Sequence, residues 1–270
     1  MALRSDGTVW QWGAGIGVGP GASCDFEGGY LLTPVQVPGL SRVTQIAAGD
    51  NFDLALESNG TVWAWGCNDF GQLGNGTTSA SQVPVQVPGL SRVVQIAAGS
   101  GAAAAVQRRN LYTTQTLVLA WGVGSLPYGA GARTPTAIQG IRAPEVGSVS
   151  VGDGYILALG DDGSVWAWGD NGGCGLGAPG ATYQPVEPVL PGSGVTQVSA
   201  GECHALALRS DGTVLAWGSN NYGELGNSSP GDGPPTQVNG LTTATQVSAG
   251  AEFSLAIRRI AEPLHLGTRS

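Results

Sequence analysis

The sequence predicts an all-β chain folded as a β-propeller of about five blades, with three to four antiparallel strands in each blade. Three observations carry that prediction. A Val/Leu-x-x-Trp-Gly phrase recurs with its final tryptophan at Trp12, Trp65, Trp121, Trp168 and Trp217, spaced 53, 56, 47 and 49 residues apart. Gln-Ile-Ala-Ala-Gly, or a near variant, ends at Gly49, Gly99, Gly152, Gly201 and Gly250. Between them, Leu-Ala-Leu-Arg-Ser-Asp-Gly-Thr at 206–213 returns at 1–8, 54–61 and 157–164, and partly at 255–259. Repeats of about 50 residues are the size of propeller blades, and nothing in the chain has a convincing helical period.

The second repeat shows the elements in order. Val43-Thr44-Gln45-Ile46 alternates as a first strand and ends at Ala47-Ala48-Gly49. Phe52 to Leu56 is a second strand, Ser58-Asn59-Gly60 a tight hairpin turn, and Val62-Trp63-Ala64-Trp65 a third strand of period two. A glycine-rich loop follows, and Pro84 to Val87 supplies a short outer strand. The paired tryptophans, such as Trp63 and Trp65 or Trp166 and Trp168, point to one side of their strand and read as packing between blades. A sugar-binding platform is the competing reading.

These residues resemble the regulator of chromosome condensation repeat family over roughly residues 1–260. The marks are Val-Trp-x-Trp-Gly at 62–66, Asn-x-x-Gly-Gln-Leu-Gly at 68–74, Pro-x-x-Val at 84–87 and Ala-Gly-x-x-His-x-Leu-Ala-Leu at 200–208. The first repeat departs from the pattern with a glycine-rich insertion at 13–30, and the third with a bland second strand, Ala102 to Ala105, and a longer hairpin at 108–116. The resemblance implies a propeller, typically of seven blades, and a structural role for His204, hydrogen-bonding the backbone. Five repeats leave two arrangements. The ring closes when residues 244–258 pair beside Val9 to Trp12, giving a monomer, or the chain is an open arc, completed by further blades or another chain. Closure is the expectation, because an open arc leaves two strand edges bare. Residues 1–260 are then the propeller and 261–270 a mobile tail.

Composition narrows the function. The chain has 270 residues, 46 glycines, no lysine, 11 arginines and 19 acidic residues, for a net charge of -8. Charged residues are 11%, against about 25% in ordinary domains, while 41% are hydrophobic, which suits a packed fold rather than a disordered one. The acidic balance argues against a nucleic-acid partner, and no apolar run is long enough for a membrane helix. The lysine-free, Gly- and Ala-rich composition suggests a high-GC bacterial gene.

Strand order places the Ala-Gly turns and the loops after Trp-Gly on one face. That face is expected to hold an aromatic set, Phe52, Tyr155 and Phe253 from the turns and Phe70 and Tyr222 from the loops, with acids including Asp69, Glu202 and Glu224. Aromatic anchors in a negative field suit a protein partner with a basic surface. The competing reading makes the turn aromatics a channel plug and the acids solvated loop charge. All four cysteines fall on this face, where the pairs Cys24–Cys67 and Cys174–Cys203 join neighbouring blades; they would suit a secreted or cell-surface protein, and four reduced thiols are the alternative. Asn59, Asn75 and Asn227 begin sequons, a weak signal in glycine-rich loops. Cys203 and His204 lack further ligands or an orienting group, and no carboxylate pair stands out, so no catalytic residue, metal or cofactor is expected. The reading is a non-catalytic protein-binding scaffold. The alternatives are a guanine-nucleotide exchange factor, as the resemblance implies, a secreted enzyme inhibitor resembling a bacterial inhibitor of β-lactamases, and a lectin.

Overall fold

In a computed structural model of the chain, the described residues are 1–14, 30–110, 115–123, 131–141, 145–169, 188–192, 194–228, 231 and 234–259. They form β-strands and turns in successive antiparallel sheets. The first sheet holds β1 (Ala2–Leu3), β2 (Val9–Ala14) and β3 (Tyr30–Gln36). The second holds β4 (Val43–Ala48), β5 (Phe52–Glu57), β6 (Val62–Gly66) and β7 (Ser81–Gln86). The third holds β8 (Val93–Ala98), β9 (Ala102–Arg108), β10 (Thr116–Gly122) and β11 (Ala132–Ala137). The fourth holds β12 (Val146–Val151), β13 (Tyr155–Gly160) and β14 (Val165–Gly169). The fifth holds β15 (Val195–Ala200), β16 (His204–Arg209), β17 (Val214–Gly218) and β18 (Thr236–Gln237), and the last β19 (Ala244–Ala249) and β20 (Ser254–Arg258).

Period-two alternation explains how the sheets stack. Along β5, Phe52, Leu54 and Leu56 point to one side and pack against Val93, Ile96 and Trp121 of the third sheet. Ala55, on the other side, packs with Val9, Val43 and Trp65 toward the first. Similar apolar seams join the remaining sheets in turn. Trp65, Trp121, Trp168 and Trp217 are fully buried in them, which supports the packing reading over a sugar platform. Truncating one buried tryptophan to alanine typically costs about 3–5 kcal/mol.

Two further devices fix the spacing of the sheets. The Ala-Gly glycines stand so close together that a Cβ built on Gly49, Gly152 or Gly201 would lie 2.5 Å from the carbonyl oxygen of the next glycine along. Beside them, the first strands are stitched by glutamine amides. Gln45 donates from Nε2 to the carbonyl of Ile96 and accepts from its amide, both at 3.0 Å. Gln95 does the same to Val149 and Gln197 to Val247.

The two ends differ from the expected closure. β20 pairs with β19 alone, and all five of its residues are exposed. The edge of β2 is instead occupied by β1, through Ala2 opposite Trp10 and Leu3 opposite Val9. The reason lies in the repeat: Met1-Ala2-Leu3 is a copy of Leu255-Ala256-Ile257, and Met1 and Leu3 pack onto the first seam. Among the described residues, the ladder between 244–258 and Val9 to Trp12 is therefore not formed. Residues 15–29 of the first insertion and the tail at 261–270 lie outside the described residues.

Candidate protein-binding face

The loops after the second and fifth Trp-Gly phrases are built alike. Asn68 accepts from the amide of Leu73 at 2.9 Å, while its own amide donates to the carbonyls of Thr77 and Ser79. Asn220 accepts from Leu225 in the same way at 3.0 Å. The residue two places after the aromatic then caps it: Phe70 N–H donates to Gln72 Oε1 at 3.0 Å, and Tyr222 N–H to Glu224 Oε2 at 2.8 Å. A left-handed glycine, Gly71 or Gly223, lets the loop double back between them. Pinned backbones thus hold the two rings at the loop tips, where Phe70 is 56% and Tyr222 71% exposed.

Glu224 belongs to this scaffold rather than to the surface. It is buried, and Ser219 also donates to its Oε1. Burial acts to raise its pKa, but the backbone and Ser219 hydrogen bonds outweigh burial and hold the carboxyl below its ordinary value. Asp69 and Glu202 are exposed.

The turn aromatics do not form an exposed ring. Phe52 and Tyr155 are fully buried, because strand alternation turns them across the seam instead of toward the axis. Their rings lie against Gly49 and Gly152. The Tyr155 hydroxyl donates to the backbone carbonyls of Gly201 and His204 in the next sheet. Phe253, at the same position, is exposed, and among the described residues no sheet covers β20. Neither the contact surface nor the channel plug describes Phe52 and Tyr155; they are seam residues.

His204 occupies the same position in β16 and is also buried. Its Nε2 lies 3.0 Å from Ser254 Oγ, and that hydroxyl donates to the carbonyl of Glu224 at 2.7 Å. The single hydroxyl proton is thereby used, so Nε2 carries the proton given to Ser254. Burial lowers the pKa of the ring and favours this neutral form, against the opposing charge of Glu224. The ring's partner is thus a serine hydroxyl, not the backbone group that the resemblance implies.

At the centre of the same face lies a cavity of about 470 Å³. Asp50, Ser100, Asp153, Glu202 and Ala251 line it from equivalent places, each just after an Ala-Gly glycine. Asp50, Asp153 and Glu202 are solvent-exposed, giving the mouth three carboxylates. Of these acids the sequence reading named only Glu202, and it did not see that they line one opening. Their equal offset from the glycines was the available signal. Cys67 and Cys203 are each disulfide-bonded, while Cys24 and Cys174 lie outside the described residues.

Comparison with known proteins agrees with this architecture. The RCC1-like domain profile matches residues 1–268. The chain is 32% identical over 183 residues to the human E3 ubiquitin-protein ligase HERC2, covering 63% of this chain and 4% of that one. It is also 32% identical over 199 residues to the mitochondrial RCC1 domain-containing protein RUG3 of Arabidopsis thaliana, covering 70% of this chain and 44% of RUG3. The chain thus spans less than half the length of either relative. Among solved structures it resembles Prp20p of Saccharomyces cerevisiae, described with its binding to Gsp1p and histones, at a TM-score of 0.79 and 22% identity, over 96% of this chain and 66% of Prp20p. Yeast RCC1 (Prp20) bound to Kap60 gives a TM-score of 0.80 at 23% identity, over 96% and 64% of the two chains. These relatives are eukaryotic and lend no support to the bacterial source suggested by composition. Its repeat phrases, its stacked antiparallel sheets and the profile match over nearly its whole length make this chain a member of the RCC1-like domain family of β-propellers.

Proposed function

We propose that the chain is a non-catalytic scaffold that binds a protein with a basic surface on the face bearing Phe70, Asp69, Tyr222 and Glu202. One observation carries the reading: two pinned, exposed aromatic tips share a face with the carboxylate-lined mouth of Asp50, Asp153 and Glu202. Aromatic tips supply anchoring area, and the acidic mouth accelerates the encounter with a positive partner. The binding described for Prp20p is consistent with this use of the fold. The pairs Cys24–Cys67 and Cys174–Cys203 would fasten neighbouring loops and make the face more rigid. Pull-down with the full chain as bait tests the reading. Phe70→Ala combined with Tyr222→Ala should lose the captured partner while leaving the thermal melt unchanged. Undiminished capture by the double variant rejects this surface.

A further inference from the structure

The turns that join second strands to third strands lie on the face opposite the loops, and charge is sorted between the two faces. Every arginine among the described residues except Arg133 sits on this hairpin face, beside the start of a first strand or the end of a second. Arg42, Arg92, Arg108 and Arg109 form one patch there. The amide of Ser58 donates to the Arg42 carbonyl at 3.0 Å, and a Cβ built on Gly60 would lie 2.7 Å from Arg92 Cα, so both arginines flank a single hairpin tip. Arg92 in turn donates from Nε and Nη2 to the carbonyls of Arg108 and Arg109, at 3.4 and 3.2 Å. All four residues are exposed. The one ion pair among the described residues lies elsewhere on the face, between Arg4 and Asp6.

Two features keep positive charge at this patch. The first is backbone strain. Arg42 and Arg92 are left-handed, with φ of 50° and 54°, a conformation that side chains disfavour. Each packs on the hairpin glycine of the preceding repeat, Gly7 or Gly60; the residue that packs on Gly163 in the same way is Gly194, with φ of 69°. Arginine thus stands where a later repeat uses the unstrained residue. The second feature is a missing carboxylate. Asp6, Asp162 and Asp211 close their hairpins by accepting from the amide and the hydroxyl two residues on. In the second repeat Asn59 makes the same two bonds to Thr61, at 2.9 and 2.7 Å, so the turn is kept and the charge is not. The longer hairpin of the third repeat, 108–116, contains no acidic residue. Glu57 beneath the patch is buried, with its oxygens taken by Ser41 and Thr61.

We propose that Arg42, Arg92, Arg108 and Arg109 bind an acidic segment of another protein through its Asp and Glu carboxylates. The guanidinium fork matches a carboxylate with two parallel hydrogen bonds. Arg92 is already oriented by its two carbonyl acceptors, and its remaining N–H groups are left for the ligand. The extent of the patch favours a short carboxylate segment over a nucleic acid. Asp6 bounds it at the first repeat, and Glu145 and Asp161 at the fourth, where Arg108 and Glu145 interact across the boundary. A long polyanion running past these acids meets repulsion from a chain of net charge -8. A second copy of the chain offering its acidic mouth is disfavoured by geometry, since the two faces are opposite and such copies stack head to tail without closing.

Calorimetric titration of the full chain with a capped oligoglutamate peptide at low ionic strength tests this. Saturable binding that weakens as salt is added is expected. Arg42→Gly combined with Arg109→Gln should weaken it by about tenfold or more. Glycine is what Gly194 supplies at that backbone position, so the fold is retained. Asn59→Asp is the independent check: it preserves the turn, as Asp6 and Asp211 do, adds one carboxylate between Arg42 and Arg92, and should weaken binding by about threefold or more with an unchanged melt. Absence of saturation up to about 1 mM peptide, or binding that neither variant changes, overturns the proposal. So does tighter binding of a single-stranded oligonucleotide that the same variants abolish, which would make nucleic acid the ligand. Sedimentation showing self-association that Arg42→Gly with Arg109→Gln abolishes overturns it in favour of a second copy. The acidic-face reading is tested separately, on Phe70 and Tyr222, which none of these variants touches.

Discussion

At the residue scale, the glycines that end the Gln-Ile-Ala-Ala-Gly phrase and its variants are constrained for a reason the sequence does not display. Read alone, Gly152 is a turn glycine. Its backbone is not left-handed; what excludes a side chain is the carbonyl of Gly201 and the ring of Tyr155, both within reach of an added Cβ. Gly131 has no such neighbour, since the nearest atoms to its built Cβ are 3.6 Å away. Gly152→Ala should therefore lose about 2–3 kcal/mol, as overpacking against backbone does. Gly131→Ala should stay within about 0.5 kcal/mol of the parent. Urea unfolding midpoints of the two variants measure the contrast; equal midpoints would mean the sheets are free to move apart. The exposed tips were easier to read: Phe70 and Tyr222 follow Asn-x or Asn-Asn after Trp-Gly, and the asparagine and capping side chain fix where they point.

At the element scale, the first strands β4, β8 and β15 are each tied to the next by one glutamine, and this was missed in the sequence although the glutamine lies inside the recognised phrase. A lone strand with Gln45 or Gln95 at an alternating position reads as a polar outward residue. Its partner lies in the next repeat, 51 or 54 residues away. Turn position also misled over Phe52 and Tyr155: it suggested the channel, whereas strand alternation sends them into the seam. The glutamine tie predicts an asymmetry. Gln95→Ala removes two hydrogen bonds to Val149 and should cost about 1–3 kcal/mol. Gln246 holds the same place in β19 but is exposed, with no sheet beyond it among the described residues. Gln246→Ala should leave the melting temperature unchanged, and differential scanning calorimetry of the pair separates a real seam contact from a general effect of losing the amide.

At the scale of the whole molecule, the antiparallel sheets and their stacking order were legible because the same phrases recur along the chain. The state of the two ends was not, because Met1-Ala2-Leu3 and Leu255-Ala256-Ile257 are equivalent strands, and sequence cannot say which one β2 selects. The seam beside β1 bears the mark of that choice. Asp53 faces it, only 5% exposed, where the later repeats carry Ala103, Ile156, Ala205 and Ser254. Burial pushes its carboxyl up to about 6, against the opposing pull of the Met1 ammonium. Unfolded, the group titrates near its ordinary value of 3.8. A carboxyl whose folded pKa is raised binds its proton more tightly in the native state. Stability from this group is thus full below about pH 4, falls as pH rises toward 6, and is lost above it. The penalty at neutral pH is about 2–3 kcal/mol, from a shift of roughly two pK units. Asp53→Ala should remove it, raising the denaturation midpoint at pH 8 while changing it little at pH 4. Because the carboxyl lies in the seam between the first two sheets, hydrogen exchange in β4 and β5 should slow in the variant at pH 8. A variant no more stable than the parent at pH 8 would show that this seam already opens enough to hydrate the carboxylate.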